Sequence, residues 1–323
     1  MLQQTLVATV VAYFRKFLSQ FPTIHDLAKA EEATIFRMWE GLGYYRRARN
    51  MHKTAQLIVS DCQGEFPKQP EKLARLPGLG RYTVNAVLSQ AFDLRLPILE
   101  ANSERVLCRL FGFRDNPKSA PLQKQLWSTA ETILPRKRIG DFNQAVMELG
   151  ALVCTPRSPN CSACPMSLRC ITNQHQLQEK IPFRPEKTKF IVQNEVAVIA
   201  RRNNKVLLVK RPEEGQWAGL WEFPHFPVTG NELHETVAAR SFPELTGITV
   251  KIGSELTTIK HGITKYKITI VVFHGDYVDG EFRTGTYPEG MWVKPNELDK
   301  FPISSPQRKI AKILIRPHNS SLF

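Results

Sequence analysis

LARLPGLGRYTVNAVLSQAF, residues 73–92, reads as helix, tight turn, helix. Pro77 lacks a backbone N–H and stops the first segment. Gly78 and Gly80 permit unusual dihedrals and close backbone approach. The second helix then offers unpaired N–H groups and the positive end of its dipole at Gly80 to Thr83. A phosphate of a nucleic-acid backbone suits such a place and needs no base contact. An ordinary helical turn uses the same residue types, so the surroundings decide.

The surroundings are basic. The chain has 323 residues, 44 Lys plus Arg against 30 Asp plus Glu, a net charge of +14 and a pI near 9.6. Such a surplus favours a polyanionic partner, nucleic acid first. Hydrophobic residues make up 42% and charged residues 23%, as in globular domains, and the length fits two of them. No apolar run reaches the ~18 residues of a membrane span, and no secretory signal pattern opens the chain, so the expectation is a cytoplasmic monomer with no membrane partner.

Outward from the hairpin, residues 1 to 172 read as helical. WEGLGYYRRARN (39–50) is a helix end, a glycine turn and a new helix, and NQAVMELGALV (143–153) is an amphipathic helix running into a group of cysteines. At the N-terminus, Leu2, Leu6, Val7, Val10, Val11, Phe14 and Phe17 share helical spacing, yet no Ser, Thr, Asp or Asn precedes Leu2 as a cap. Residues 173–190 are polar, carry two prolines and read as a linker. From 191 to 323 the pattern changes to α+β. Two β-rich runs flank Asn203-Asn204, a hairpin signal, residues 263–275 alternate, and 232–246 and 306–315 look helical.

Four of the six cysteines lie close together: Cys154, Cys161, Cys164 and Cys170, spaced C-x6-C-x2-C-x5-C. In a reducing compartment this reads as metal or cluster binding rather than disulfides. Zinc ligands usually come as two close pairs, whereas one tight coil of thiolates suits a [4Fe–4S] cluster; on spacing alone both stay open.

Taken with MLQQT (1–5), GLGYYRRARN (41–50), PILEANSERVL (97–107) and GLWEFP (219–224), these motifs resemble the MutY-type adenine DNA glycosylases of the helix-hairpin-helix superfamily over essentially the whole chain. The resemblance implies a multi-domain protein: an all-α glycosylase domain (1–172) with a [4Fe–4S] coil at 154–170, the linker (173–190), and an α+β Nudix-like domain (191–323). It implies base excision repair of double-stranded DNA, with adenine removed opposite 8-oxoguanine or guanine and, in a bacterium, association with the nucleoid. The target base must be flipped out of the stack. By resemblance, Leu2 and Gln4 wedge into the duplex, Tyr44 stacks beside the oxidised base, and Gly78, Gly80 and Thr83 hold phosphate. Endonuclease III proteins share the first domain and the cluster but use a hairpin lysine where this chain has Tyr82.

The chemistry needs one carboxyl to protonate the departing base and another to hold charge beside the developing oxocarbenium ion. The family's P-I-L-D-G-N is here Pro97-Ile98-Leu99-Glu100-Ala101-Asn102, so Glu100 takes the second role with an added methylene, and Ala101 replaces Gly. Asn102 matches, Tyr82 lines the pocket, and Gln144 faces the flipped adenine. The resemblance puts the protonating Glu two residues before the Met of MLQQT, where this chain begins; Glu31, Glu32 and Glu40 match no catalytic position. The chain as written is therefore expected to show negligible excision, either because its start is misassigned or because it binds 8-oxoguanine:adenine pairs without cleaving.

In the second domain, Glu232, Arg240 and Gly247 fit the Nudix box, but Ser241 and Leu245 stand where two of its glutamates belong. Magnesium-dependent hydrolysis is expected to be lost. The family's 8-oxoguanine loop, F-S-H, corresponds to Ile263-Thr264-Lys265, which keeps a hydroxyl at Thr264 and places a cation at Lys265.

Overall fold

The computed structural model describes residues 1–3, 5–183, 185, 190–230, 232–263 and 265–315. Its helices are α1 (Val7–Gln20), α2 (Ile24–Lys29), α3 (Glu32–Trp39), α4 (Arg46–Cys62), α5 (Pro70–Leu73), α6 (Arg81–Phe92), α7 (Ala101–Phe111), α8 (Ala120–Thr132), α9 (Ile139–Glu148) and α10 (Ile171–Gln174). The second part runs β1 (Ile191–Arg202), β2 (Lys205–Lys210), β3 (Trp221–Glu222), β4 (His225–Val228), α11 (His234–Thr246), β5 (Ile248–Ile263), β6 (Tyr266–Gly280), β7 (Glu289–Val293) and α12 (Ser305–Ile315). Among the described residues no helix is long and apolar enough to cross a membrane. The fold is thus a helical region followed by an α+β region.

Packing divides the chain into two compact units: Leu57–Lys187, and Met1–Gln56 together with Thr188–Phe323. In Leu57–Lys187, α5 and α6 close on Leu73, Val84 and Leu88, while α7 and α8 close on Leu107, Cys108, Leu122 and Leu126. Ile181 joins the α7–α8 core and its carbonyl accepts a bond from the Arg109 guanidinium at 2.8 Å. The first half of the stretch read as a linker is therefore packed, because Leu177 and Ile181 carry apolar surface that the prolines and charges around them disguise.

In the other unit, Val10, Phe17, Phe36, Trp39 and Tyr45 form a helical core that Leu220 also enters. The expected N-terminal helix starts at Val7 rather than Leu2, and its apolar residues split into two faces. Val10 and Phe17 are buried, whereas Val7, Val11, Phe14 and Leu18, one i, i+4, i+7, i+11 row, are exposed. A seven-stranded mixed sheet follows, ordered β3-β2-β1-β6-β5, with β4 also on β1 and β7 on β2. The β1–β6 pair is parallel. Asn203 and Asn204 adopt φ of +49° and +59° between paired Arg202 and Lys205, the two-residue turn that their side chains tolerate. Val196, Val198 and Ala200 face α11, and Ala197 and Ile199 face α12. Cover on both faces explains why β1 is continuously apolar there while β6 alternates.

Candidate active site

An extended segment leads into α7, and two buried asparagines fix it. Asn85 of α6 donates to the Pro97 carbonyl at 2.7 Å, and Asn143 of α9 donates to the Leu96 carbonyl and to Ser89 Oγ, both at 3.0 Å. Each amide satisfies a backbone acceptor that would otherwise be stranded in the interior. Glu100 then caps α7. Its carboxylate accepts from the Asn102 and Ser103 N–H groups, each at 2.8 Å, while its own N–H donates to Ser103 Oγ at 2.8 Å. The extra methylene lets the side chain fold back onto the first turn. Ala101 sits inside that turn, where alanine is the stronger helix former and glycine's freedom is not needed.

Around Glu100 stand residues of α6, α7 and α9. The Tyr82 phenol lies 3.5 Å from Met147 Sδ, and burial, then the charge of Glu100, raises its pKa, so it stays protonated at neutral pH. Gln144 is exposed on the Met147 helix, accepts from Gln90 at 3.4 Å and donates to Glu148 at 2.7 Å. The Asn102 side-chain oxygen accepts from Arg105 at 2.9 Å. After α9 the chain makes one π-helical turn, Leu149–Val153, in which a Cβ on Gly150 would lie 2.7 Å from Asn102 Cβ. Only glycine allows that approach. Arg105 also donates to the Gly150 and Cys154 carbonyls, both at 2.7 Å, so one guanidinium links the α7 entry to the start of the cysteine coil.

The four coil cysteines are free thiols that line one pocket with Arg109, Thr172 and Gln178. Arg109 lies 3.4 Å from Cys154 Sγ, and Gln178 Nε2 lies 3.6 Å from Cys161 Sγ. Thr172 Oγ1 is buried there with no hydrogen-bond partner among the described residues. Sulfurs arranged around a shared space with N–H donors aimed at them fit a thiolate-held anionic cluster. Among the described residues, no three His, Cys, Asp or Glu side chains converge closely enough to hold one ion.

At the hairpin, Gly78 takes φ of +76°, and Gly80 caps α6 with nothing within 4 Å of where a Cβ would lie, leaving room for a ligand. Thr83 is in the first turn of α6. In the other unit, Leu2 and Tyr44 are exposed, and the Lys265 ammonium lies 5.5 Å from the Tyr266 ring centroid. Gln4 and Thr264 fall outside the described residues. Glu232 is paired to Arg240 at 2.8 Å.

Residues 1–132 match the family model of HhH-GPD superfamily base excision DNA repair proteins, and residues 195–312 match the NUDIX domain. The adenine DNA glycosylase of Rattus norvegicus is 31% identical over 97% of this chain and 70% of its own length. That of Buchnera aphidicola (Schizaphis graminum) is 38% identical over 70% of this chain and 65% of its own length. The chain belongs to the adenine DNA glycosylase family. It spans about two thirds of the length of the curated relatives from that family. A solved thermostable thymine-DNA glycosylase superposes with a TM-score of 0.50 and 30% identity, covering 54% of this chain and 80% of that one. Asn85, Asn143, Arg105 and Arg47 go unassigned when adenine DNA glycosylase motifs alone are read. The first two carried one signal, a polar residue set in the apolar face of an amphipathic helix.

Proposed function

We propose that this protein acts in base excision repair, hydrolysing the N-glycosidic bond of adenine mispaired with 8-oxoguanine or guanine in duplex DNA. The observation that carries the reading is the Glu100 carboxylate, fixed at the N-terminus of α7 beside Tyr82 and Asn102, in a chain of this family. Glu100 stabilises positive charge as it develops on the sugar, and its two backbone bonds keep it in place. Tyr82, protonated, offers a hydrogen bond in the same pocket. Asn102, set by Arg105, orients the sugar or the attacking water, and Gln144 reads an edge of the flipped base. Gly78, Gly80 and Thr83 receive a phosphate, Leu2, Gln4 and Tyr44 hold the opened duplex, and Thr264 with Lys265 meets the oxidised base.

Cys154, Cys161, Cys164 and Cys170 would hold a [4Fe–4S] cluster, which when bound supplies four iron–thiolate links that order the coil. In this reading residues 191–323 serve as a Nudix-like recognition module and residues 1–172 as the glycosylase domain. The alternative of a lesion binder that does not cleave draws no support from relatives named as glycosylases.

Single-turnover excision by the protein expressed from its full reading frame, on an 8-oxoguanine:adenine duplex, tests the reading. Adenine release that Glu100→Gln abolishes is expected. Tight binding without release by the unsubstituted protein would overturn it.

A further inference from the structure

We infer that Arg47 is a positioning residue that locks Met1, Gln3 and Thr5 and the Gly41–Tyr44 loop into one arrangement for lesion reading. This inference rests on the reading above that both segments meet DNA.

One guanidinium serves both segments. Arg47 Nη1 donates to the Met1 carbonyl at 2.9 Å and to the Gln3 carbonyl. Nη2 donates to Thr5 Oγ1 at 3.1 Å and to the Leu42 and Gly43 carbonyls at 3.0 and 3.1 Å. The same group lies 5.4 Å from the Trp39 ring centroid and 5.6 Å from that of Tyr44. Trp39 Nε1 donates to the Gly43 carbonyl as well, at 3.0 Å. Only a planar fork with several fixed donors reaches this set; a lysine ammonium supplies charge from a single point.

The loop it holds is strained. Tyr44 takes φ of +50°, a region that costs a non-glycine residue energy. Gly41 takes φ of +95°, and a Cβ there would lie 2.3 Å from Tyr13 Oη, which donates to the Glu40 carbonyl at 2.7 Å. Such backbone persists because its surroundings fix it. Yet the side chains at the ends of this arrangement are in solvent: Leu2 is 58% exposed and Tyr44 is 56% exposed. A purely structural arginine would rigidify a loop in order to bury its side chains. Here a fixed backbone presents an apolar and an aromatic side chain outward. That is the arrangement expected of a surface preorganised for a partner, because ordering cost is met before binding. Arg47 therefore acts through Leu2 and Tyr44 rather than on the reacting bond.

The test compares the unsubstituted protein with Arg47→Lys and Arg47→Ala, using duplexes with 8-oxoguanine:adenine or with undamaged pairs. A 2-aminopurine beside the mispair reports unstacking. For Arg47→Lys we expect a small fall in thermal stability, less than that of Arg47→Ala, and unchanged affinity for undamaged duplex. Preference for the lesion duplex falls roughly tenfold or more, as the loss of two charge-assisted bonds implies, and the unstacking signal drops. Arg47→Ala reproduces that loss, with lower stability. A wild-type preference and signal in Arg47→Lys would overturn the inference, as would equal loss of affinity for both duplexes. No lesion preference in the unsubstituted protein would overturn the functional reading beneath it, which is a separate result.

Discussion

Glu100 and Glu232 each occupy a carboxylate position of a recognisable motif, one in the helical region and one in the Nudix-like region, and their surroundings differ in kind. Glu100 is half-buried, bound by two backbone N–H groups of α7, and approached by Tyr82 and the Arg105–Asn102 pair. Glu232 is exposed, and its partner is the equally accessible Arg240 on α11. The first carboxylate is aimed by the fold, whereas the second is held only by a surface ion pair. The difference lies in the groups around each: Asn85, Asn143 and Gly150 maintain the entry to α7, while Ser241 and Leu245, at the positions where the Nudix-box reading expects two further glutamates, are not carboxylates. A motif residue carries chemistry when its neighbours still define its position.

The largest expected effect tests the aimed carboxylate. Glu100→Gln should lower single-turnover excision on the order of 10^3-fold, as loss of a preorganised charge does, with lesion-duplex affinity kept. A rate within a few-fold of the parent would remove Glu100 from the reaction and break the contrast with Glu232.

Glu40 sharpens the comparison as a paired carboxylate used for packing. Its two oxygens accept from Arg308 Nε and Nη2 at 2.6 and 2.8 Å, and the Arg308 side chain is only 9% exposed. Glu40→Ala would remove two charge-assisted bonds from that guanidinium, which keeps Asp299 and carbonyl partners. We expect a loss of about 1–3 kcal/mol in denaturant unfolding. A loss comparable to that of an exposed pair would show that burial is not what separates these carboxylates.

Next comes the scaffold of Glu100. Asn85→Ala leaves the Pro97 carbonyl without its buried donor and should cost about 1–3 kcal/mol of stability. Because Pro97 precedes Glu100 by three residues, excision should fall further than that loss of folded protein explains. Excision that merely tracks the folded fraction would limit Asn85 to a packing role.

Much of this arrangement was legible in the residues. Asn203-Asn204 announced its turn because left-handed backbone narrows the residue choice, and the apolar run 143–153 announced α9 through its spacing. The order of α6, α7 and the cysteine coil followed from motifs that each have one local geometry. What spacing could not give was partnership across the chain. Helical periodicity could not tell the buried face of Val10 and Phe17 from the exposed row of Val7, Val11 and Phe14, since both are apolar. Nor did RRAR (46–49) distinguish Arg46, which is exposed, from Arg47, which bonds Met1 and Thr5. Those assignments depend on long-range contacts that no local pattern encodes.

The smallest expected effect belongs to Glu232. Hydrogen bonding from Arg240 holds its carboxyl below the ordinary value, so the pair helps stability above that ordinary value, and the help is lost as pH falls through the lowered one. Both partners are solvated and screened, which keeps the contribution small. Glu232→Gln should shift thermal unfolding at neutral pH by no more than about a degree, as surface substitutions do, and leave excision unchanged. Any difference from the parent should vanish in acid and in high salt. A marked fall in excision at neutral pH would place Glu232 at a functional surface after all. The contrast with Glu100 would then be one of roles and not of retained against vanished chemistry.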